Sequence, residues 1–398
     1  MFARDKRGWR LGVLRRLRSA ATLACIAAAS AGCTVGPDEH APAVVLLRPS
    51  SVSLMVGGTA QLSVAAQDLS GNAMTWLTYD WGTSDAHVAA VSGSGLVTGV
   101  APGVAAIFAA SRGRSDSATV TVTALPPPPT TRAECTDPQP GWIWCDDFEQ
   151  ERAASYFEYA DANGHFSRSP YVGVDGSYAM KAHFDAGQVN AGALHLAFGR
   201  TPDPYFRPVD AGSARYRELY WRVYLRNQDG WTGGGGDKLS RAIVFSGSDW
   251  SQAAIAHVWS GGTAETKEYL VLDPASGTDT LGVVQTVGYN DWDHMRWLGV
   301  AQTATPIFDA AHTGHWHCIE AHFRLNTAGL SDGVFELWID GNPEAKRTGL
   351  NWVGSYDAYG INSLFLENYW NAGAPQAEDR YIDRLVVSTQ PIGCATAH

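Results

Sequence analysis

One short stretch of this sequence alternates two kinds of side chain in a way that could serve ligand binding. In RELYWRVYL every second residue is apolar, and the positions between hold Glu218, Tyr220, Arg222 and Tyr224. Because successive side chains of a strand point to opposite faces, these four form one row. Aromatic faces and charged forks bind sugars and their carboxylates. The row predicts a carbohydrate-binding surface, with the alternative that it is the solvent face of an antiparallel sheet.

Acidic residues near both ends of the C-terminal half are of the kind that binds a hard cation. They are Asp146, Asp147 and Glu149 near the start of the segment 135–398 and Asp383 near its end. Carboxylates that meet with backbone oxygens suit Ca²⁺. Two interpretations stay open: a structural Ca²⁺ held by these acids, or ordinary surface acids in a protein without a cofactor.

The cysteines indicate an oxidising compartment. Four of the six Cys lie beyond the N-terminal segment, and an even number in an exported chain is typical of disulfides. Four Cys allow three connectivities, and we expect Cys135 with Cys145, which are close in sequence, and Cys318 with Cys394. The alternative is four reduced, buried thiols.

The composition around these groups indicates an all-β protein that faces the outside of a cell. The 398 residues are 45% hydrophobic, 11% aromatic and 17% charged, with 15 Trp and 15 Tyr. This content excludes a disordered chain and a polytopic membrane protein. The net charge of −11 disfavours nucleic acid as a partner.

The N-terminal segment 1–33 has the pattern of an export signal: a basic start, the apolar run AATLACIAAASAG, and Cys33. The small residues before Cys33 resemble a bacterial lipobox, which implies acylation of Cys33 and a membrane contact through the lipid alone. We therefore expect an outer-membrane or cell-surface lipoprotein. The alternative is ordinary signal cleavage after Ala31 and a secreted protein.

The segment 43–123 alternates short apolar runs with glycine turns, which is typical of a small β-sandwich. The runs SVSLMVGGTAQLSVAAQDLSGN, VAAVSGSGLVTGVAPG and SATVTV resemble the bacterial Ig-like group 2 domain. This resemblance implies a structural or adhesive spacer. A proline-rich linker, 124–134, follows, and its four consecutive prolines favour a stiff extended chain.

The segment 135–398 shows many alternating strands and no long helical period, so we expect a two-sheet jelly roll. The runs WIWCDDFE, ARYRELYWRVYL, GGGGDKLSRA, DGVFELWIDG, NYWNAG and YIDRLVVS resemble the concanavalin A-like lectin/glucanase superfamily. Within it they are most similar to polysaccharide lyases of the alginate, glucuronan and heparin type. The resemblance implies a cleft that holds an acidic polysaccharide.

Cleavage of a uronic acid polymer by β-elimination needs three kinds of group: a cation for the carboxylate, a base for the C5 proton, and an acid for the leaving oxygen. The resemblance implies Arg222 and Lys238 as cations and Tyr369 as the acid. Arg217 is a further candidate cation, and the candidate bases are His257 and His294. Each has an alternative. His257 is then a buried histidine with its hydrogen bonds satisfied, Lys238 is a solvated side chain, and Tyr369 is part of the hydrophobic core. Further substrate contacts are expected from Arg217, Glu218, Tyr220, Tyr224, His294, Asn368 and Asn371.

Three functions therefore stay open for the chain. The first is a polysaccharide lyase, and the second is a non-catalytic carbohydrate-binding or adhesive module on the same fold. The third is an envelope protein without a glycan ligand. Fold alone does not separate them. A retaining glycosidase is disfavoured, because the paired carboxylates that it needs on one strand are absent from the sequence.

Overall fold

The structure, a computed structural model, describes residues 41–124, 134–232, 237–263 and 265–394. The chain divides into two compact units, Met1–Pro126 and Pro127–His398. Regular structure in the described ranges consists of β-strands and short 3-10 turns, which confirms the predicted all-β class. No helix in these ranges is long and apolar enough to cross a membrane. The predicted export signal with Cys33, and linker residues 125–133, lie outside the described residues.

The described part of the first unit contains nine strands. They are β1 (Val44–Arg48), β2 (Ser51–Met55), β3 (Thr59–Gln61), β4 (Ser63–Gln67), β5 (Asp80–Thr83), β6 (Ala89–Val91), β7 (Leu96–Gly99), β8 (Gly103–Ser111) and β9 (Arg114–Thr123). They form sheets in the orders β2-β9-β8-β5, β3-β7-β6 and β1-β4.

Alternation along the long strands builds the core of this unit. In β8 and β9 every second residue is buried, so Ile107 faces Ala118 across the strand pair and both lie in the interior. The turn between β6 and β7 requires glycine at position 95, because its φ of +83° is left-handed. A Cβ there would lie 2.7 Å from the Trp81 ring. Glycine thus lets the turn approach the core closely.

The described part of the second unit contains sixteen strands and five 3-10 turns. The strands are β10 (Trp142–Asp146), β11 (Glu158–Ala160), β12 (Phe166–Ser169), β13 (Ala179–Phe184), β14 (Asn190–Ala197), β15 (Glu218–Asn227), β16 (Asp237–Phe245), β17 (Gln252–Ser260), β18 (Tyr269–Ser276), β19 (Arg296–Trp297), β20 (Ala301–Pro306), β21 (His317–Arg324), β22 (Gly333–Ile339), β23 (Asn342–Leu350), β24 (Ser363–Trp370) and β25 (Glu378–Ser388). The 3-10 turns are Glu134–Thr136, Ala153–Ser155, Val174–Gly176, Pro204–Phe206 and Trp292–His294.

These strands form two antiparallel sheets. Sheet A has the order β12-β13-β25-β15-β21-β22-β23, with β10 also paired to β25. Sheet B has the order β11-β14-β24-β16-β17-β18-β19, with β20 also paired to β18. One hydrophobic core contains residues of both sheets, so they form the predicted sandwich.

The apolar row of RELYWRVYL lies in this core, as its alternation predicted. Leu219, Trp221, Val223 and Leu225 of β15 are all buried. Trp221 Nε1 donates to Ser240 Oγ of β16 over 3.0 Å, so the indole N–H is satisfied across the two sheets. The other row of β15 therefore lies on the outer face of sheet A, away from sheet B.

Both expected disulfides are present in the structure. Cys135 bonds to Cys145, next to β10, and Cys318 of β21 bonds to Cys394 beyond β25. The second bond closes a separation of 76 residues. A loop of this length removes enough unfolded-state entropy to stabilise the fold by roughly 4 kcal/mol in the chain-entropy model.

Candidate functional site

A β-bulge in β16 brings two cations to the outer face of sheet B, the face turned away from sheet A. In a regular strand, residues 238 and 241 point to opposite faces. Here Lys238 pairs with Trp259 and Arg241 with His257, so three steps along β16 match two along β17. The extra residue turns both cations the same way. A strict period of two does not predict this, and the sequence analysis therefore missed Arg241.

A buried ion pair holds the start of the bulge. Arg380 of sheet A crosses the core and donates to both carboxylate oxygens of Asp237. Its Nη1 also donates to the backbone oxygen of Lys238 over 3.1 Å. Arg380 and Asp237 are buried, and such a pair is costly to desolvate. Its position immediately before Lys238 fixes the backbone from which that side chain leaves.

Lys238 has aromatic neighbours instead of an acidic partner. Its Nζ lies 4.4 Å from the ring centre of Tyr369 and 5.7 Å from that of Trp259. Among the described residues no carboxylate lies within ion-pair distance of this ammonium group. Burial lowers the Lys238 pKa, and the nearby Glu367 carboxylate opposes the shift. The ammonium group is thus a cation available to an anionic ligand.

Arg241, by contrast, is neutralised within the site. Its Nη2 donates to Glu367 Oε1 over 2.8 Å, and Tyr289 and Asn290 accept its other hydrogen bonds. The guanidinium is completely buried. Arg241 therefore lies as a buried charge beneath the outer face of sheet B. Its hydrogen bonds hold the loop that contains Tyr289 and Asn290. An arginine in the apolar strand LSRAIVF was the signal for a buried, partnered charge.

His257 is held as a neutral ring with one nitrogen free. Its Nδ1 lies 2.8 Å from the backbone oxygen of Asp273; since a carbonyl only accepts, Nδ1 carries the hydrogen. Burial lowers the His257 pKa well below its usual value, and the charges of Arg241 and Lys238 add to this. Nε2 is buried and has no hydrogen-bond partner in the described part of the chain. Three indole rings surround the imidazole, with ring centres at 4.3 Å for Trp259, 5.7 Å for Trp292 and 6.0 Å for Trp297.

A groove opens beside these residues on the same face. Its volume is about 410 Å³, within the range of about 300–1,000 Å³ that is usual for small-molecule pockets. Trp259 forms the border with Lys238, Asp273 lies next to His257 in the sheet, and Asn371 follows Tyr369 in sequence. Of the predicted site residues, Lys238, His257, Tyr369 and Asn371 therefore share this region.

The structure does not bring Arg222 to this region, which corrects its grouping with Lys238, His257 and Tyr369. Arg222 belongs to β15 in sheet A, and its Nη2 donates to Glu134 Oε2 over 2.6 Å. The side chain is 1% exposed. The strand RELYWRVYL pairs with β21 and β25 in sheet A. Its outward side chains therefore lie on the opposite side of the sandwich from the outer face of sheet B. Sequence alternation predicts the row but not the sheet to which it belongs.

The rest of this row is also on the outer face of sheet A. His322 stacks on Tyr220 with ring centres 4.2 Å apart. Its two nitrogens lie 2.8 Å from Glu218 and from Glu336. Tyr224 lies 5.3 Å below the Arg222 guanidinium. The predicted binding row is thus a set of side chains that contact one another.

Two other predicted contacts, Arg217 and Asn368, are placed elsewhere, whereas His294 ends the 3-10 turn whose Trp292 ring lies 5.7 Å from the His257 ring. Arg217 donates to the backbone oxygen of Asn326. His294 is 60% exposed and pairs with Asp291, whose hydrogen bond raises the His294 pKa. Asn368 points into the interior, where its Nδ2 donates to Gly192 O, so it cannot contact a ligand on the outer face.

The four predicted calcium ligands bond to the protein itself. Asp146 accepts from Phe148 N and Tyr156 OH, Asp147 from Cys135 N, Glu149 from Tyr178 N, and Asp383 from Val174 N and Arg384 N. Burial raises the pKa of Asp383 to about 8. In the ranges that the structure describes, no three His, Cys, Asp or Glu side chains are placed to hold a metal ion.

Comparison with known proteins confirms the resemblance of the first unit. Residues 43–122 match the family model of the bacterial Ig-like domain (group 2). That segment is a bacterial Ig-like domain. No curated protein matches the chain.

Solved structures with likeness to the chain include two polysaccharide lyases. The endo-β-1,4-glucuronan lyase of the fungus Trichoderma reesei is 14% identical over 63% of this chain and 96% of its own, with a TM-score of 0.44. The marine PL-14 alginate lyase of Aplysia kurodai is 12% identical over 63% and 99%, with a TM-score of 0.44. The cellulose induced protein Cip1 is 15% identical over 63% and 100%, with a TM-score of 0.33.

Proposed function

We propose that the outer face of sheet B binds an acidic polysaccharide and cleaves it by β-elimination at a uronic acid. One observation carries the proposal: the ammonium group of Lys238 stands without an acidic partner in the described residues, between two aromatic rings and near a neutral histidine. A cation in this partly buried setting attracts a carboxylate more strongly than a solvated one. It does so in a chain whose net charge is −11.

The chemistry assigns one task to each side chain. Lys238 pairs with the uronate carboxylate, which makes the C5 proton more acidic. His257 Nε2, which has its lone pair free, takes that proton after the indole rings around it move aside. The C5–H electron pair becomes the new C4–C5 double bond as the C4–O bond breaks. The Tyr369 hydroxyl gives its proton to the leaving oxygen and regains one from solvent, to which His257 releases the proton taken from C5.

The proposal is tested with alginate, glucuronan and heparin as substrates. The unsaturated product absorbs in the ultraviolet, so a rise in absorbance with at least one polymer is expected. The rise should be lost in Lys238→Met and kept in Lys346→Met, since Lys346 already pairs with Glu336 on sheet A. A flat trace together with no retention on an array of acidic glycans would overturn the proposal.

Non-catalytic glycan binding is a second candidate, and one observation favours it. His257 Nε2 is enclosed, so a substrate reaches it only if neighbouring rings move. A flat absorbance trace combined with retention on the acidic glycan array would assign this function. The role of Lys238 would then be to pair with the carboxylate, without a proton transfer.

We also propose that the chain is exported and held at a membrane through lipid on Cys33. The support is the order of a basic start, an apolar run and small residues before Cys33. Labelled fatty acid should be incorporated into the protein made in a bacterial host and lost in Cys33→Ala. Release of unlabelled protein into the medium would favour ordinary cleavage.

A further inference from the structure

The two ends of the proposed cleft differ in charge. At the Lys238 end the available group is a cation, and Arg241 neutralises Glu367 through Oε1, while Oε2 has no hydrogen-bond partner among the described residues. In the groove beyond Trp259 the charged group is an acid instead of a cation. Asp273 is an ionisable residue of its described lining, and no Lys, Arg or His is part of that lining.

Asp273 makes the groove unfavourable for a second carboxylate. It lies beside His257 in the sheet, so its side chain shares the outer face. Burial raises its pKa to about 6, so the group is an anion at neutral pH and above. Like charges in a partly desolvated site repel each other strongly, because little water screens them.

The other groups of the groove suit an uncharged sugar. The Trp259 indole and the side chains of Val271 and Val300 offer surfaces for the C–H faces of a pyranose. Gln302 and Asn371 offer amide groups, and Asp273 accepts from hydroxyls.

We infer that the substrate is a polymer in which uronic acid alternates with an uncharged sugar, the uronate lying at Lys238 and the uncharged sugar in the groove of Trp259 and Asp273. This inference rests on the proposed function of the same face. It separates two classes of acidic polysaccharide, because a homopolymer of uronic acid brings a second carboxylate into the groove that Asp273 lines.

Two polymers that share a β-1,4 bond to glucuronate test the inference. In hyaluronan the neighbour of glucuronate is N-acetylglucosamine, and in glucuronan it is another glucuronate. Affinities for oligomers of matched length are measured by calorimetry, and cleavage by ultraviolet absorbance. We expect hyaluronan to be preferred by roughly tenfold or more, which is the effect of a modest charge repulsion.

Variants of the groove show whether Asp273 causes this preference. Asp273→Asn should improve glucuronan binding and leave hyaluronan binding nearly unchanged. Gln302→Glu, on the edge strand β20, should widen the preference, and this second variant keeps the test decisive if Asp273→Asn does not fold. Asp357→Asn is the control for a lost charge, since this exposed residue is not part of the groove.

Each outcome decides the inference. A glucuronan affinity equal to or above that for hyaluronan, or a ratio that neither variant changes, overturns the alternating substrate while the proposed function stands. If neither these two polymers nor alginate and heparin are bound or cleaved, the proposed function fails and the inference fails with it.

Discussion

The outer faces of the two sheets carry similar side chains, but they differ in whether a charged group has a partner of opposite charge. On sheet A, Arg222 pairs with Glu134, and His322 lies between Glu218 and Glu336. On sheet B, Lys238 stands without such a partner in the described residues. A row of Arg, Tyr and Glu is therefore not by itself a binding site. A group is available to a ligand when the fold leaves it unpaired and partly desolvated.

The largest expected effect concerns the two buried histidines of these faces. His257→Ala should lower cleavage of the best substrate by roughly 10²–10⁴-fold, the usual contribution of a general base. His322→Ala should leave the rate per folded molecule within about twofold, because it lies on sheet A. The measurement is the initial rate of ultraviolet absorbance. Equal rates for His257→Ala and the unsubstituted protein would exclude His257 as the base.

Breaking the ion pair beneath the bulge should strongly destabilise the second unit. Arg380→Met leaves Asp237 as an unpaired buried carboxylate, which costs about 3–5 kcal/mol of unfolding free energy. Urea unfolding followed by Trp fluorescence measures this. The double variant Arg380→Met, Asp237→Leu should recover part of the loss. No recovery would show that shape, not charge, decides stability at this point.

Lys238 on sheet B should contribute to glycan binding, whereas Lys346 on sheet A should not. Lys238→Met should weaken binding of an acidic oligosaccharide by roughly 10- to 100-fold, as expected for the loss of a charge-assisted hydrogen bond. Lys346→Met should change the affinity less than about twofold. Calorimetry measures both. Equal losses in the two variants would mean that general charge, not the site, attracts the glycan.

The buried Asp383 should make stability fall as the pH rises. Its folded pKa of about 8 lies above the unfolded value of about 3.9, so its contribution is complete below the lower value and is lost as the pH passes the higher one. Asp383→Asn should flatten this slope by about 1 kcal/mol per pH unit between the two pKa values. Denaturation at several pH values tests it. Added Ca²⁺ that stabilises only the unsubstituted protein would instead support the calcium site predicted from the sequence.

The smallest effect is expected for the row that the sequence analysis proposed for sugar binding. Tyr220→Phe and Tyr224→Phe should change cleavage and affinity less than about twofold, because their side chains lie on sheet A. Kinetics on the same substrate measure this. A loss above tenfold would move the binding surface to sheet A and contradict the choice of Lys238.

Local pattern predicted the all-β class, the alternation within strands such as RELYWRVYL, and the pairing of the cysteines. The period of two in RELYWRVYL predicts which residues are buried, because side chains of a strand must alternate. The nearness of Cys135 to Cys145 predicts one disulfide and leaves Cys318 for Cys394. These features depend on neighbours in sequence or on a small number of choices.

Only the tertiary structure decided where the candidate site lies. The bulge that places Lys238 and Arg241 on one face depends on pairing with β17 and β24, which are remote in sequence. Whether an arginine forms an ion pair within the protein depends on residues that are remote in sequence, as Glu134 is from Arg222. Local alternation determines which residues face the core, whereas long-range strand order determines which outer face they share and which charges remain free.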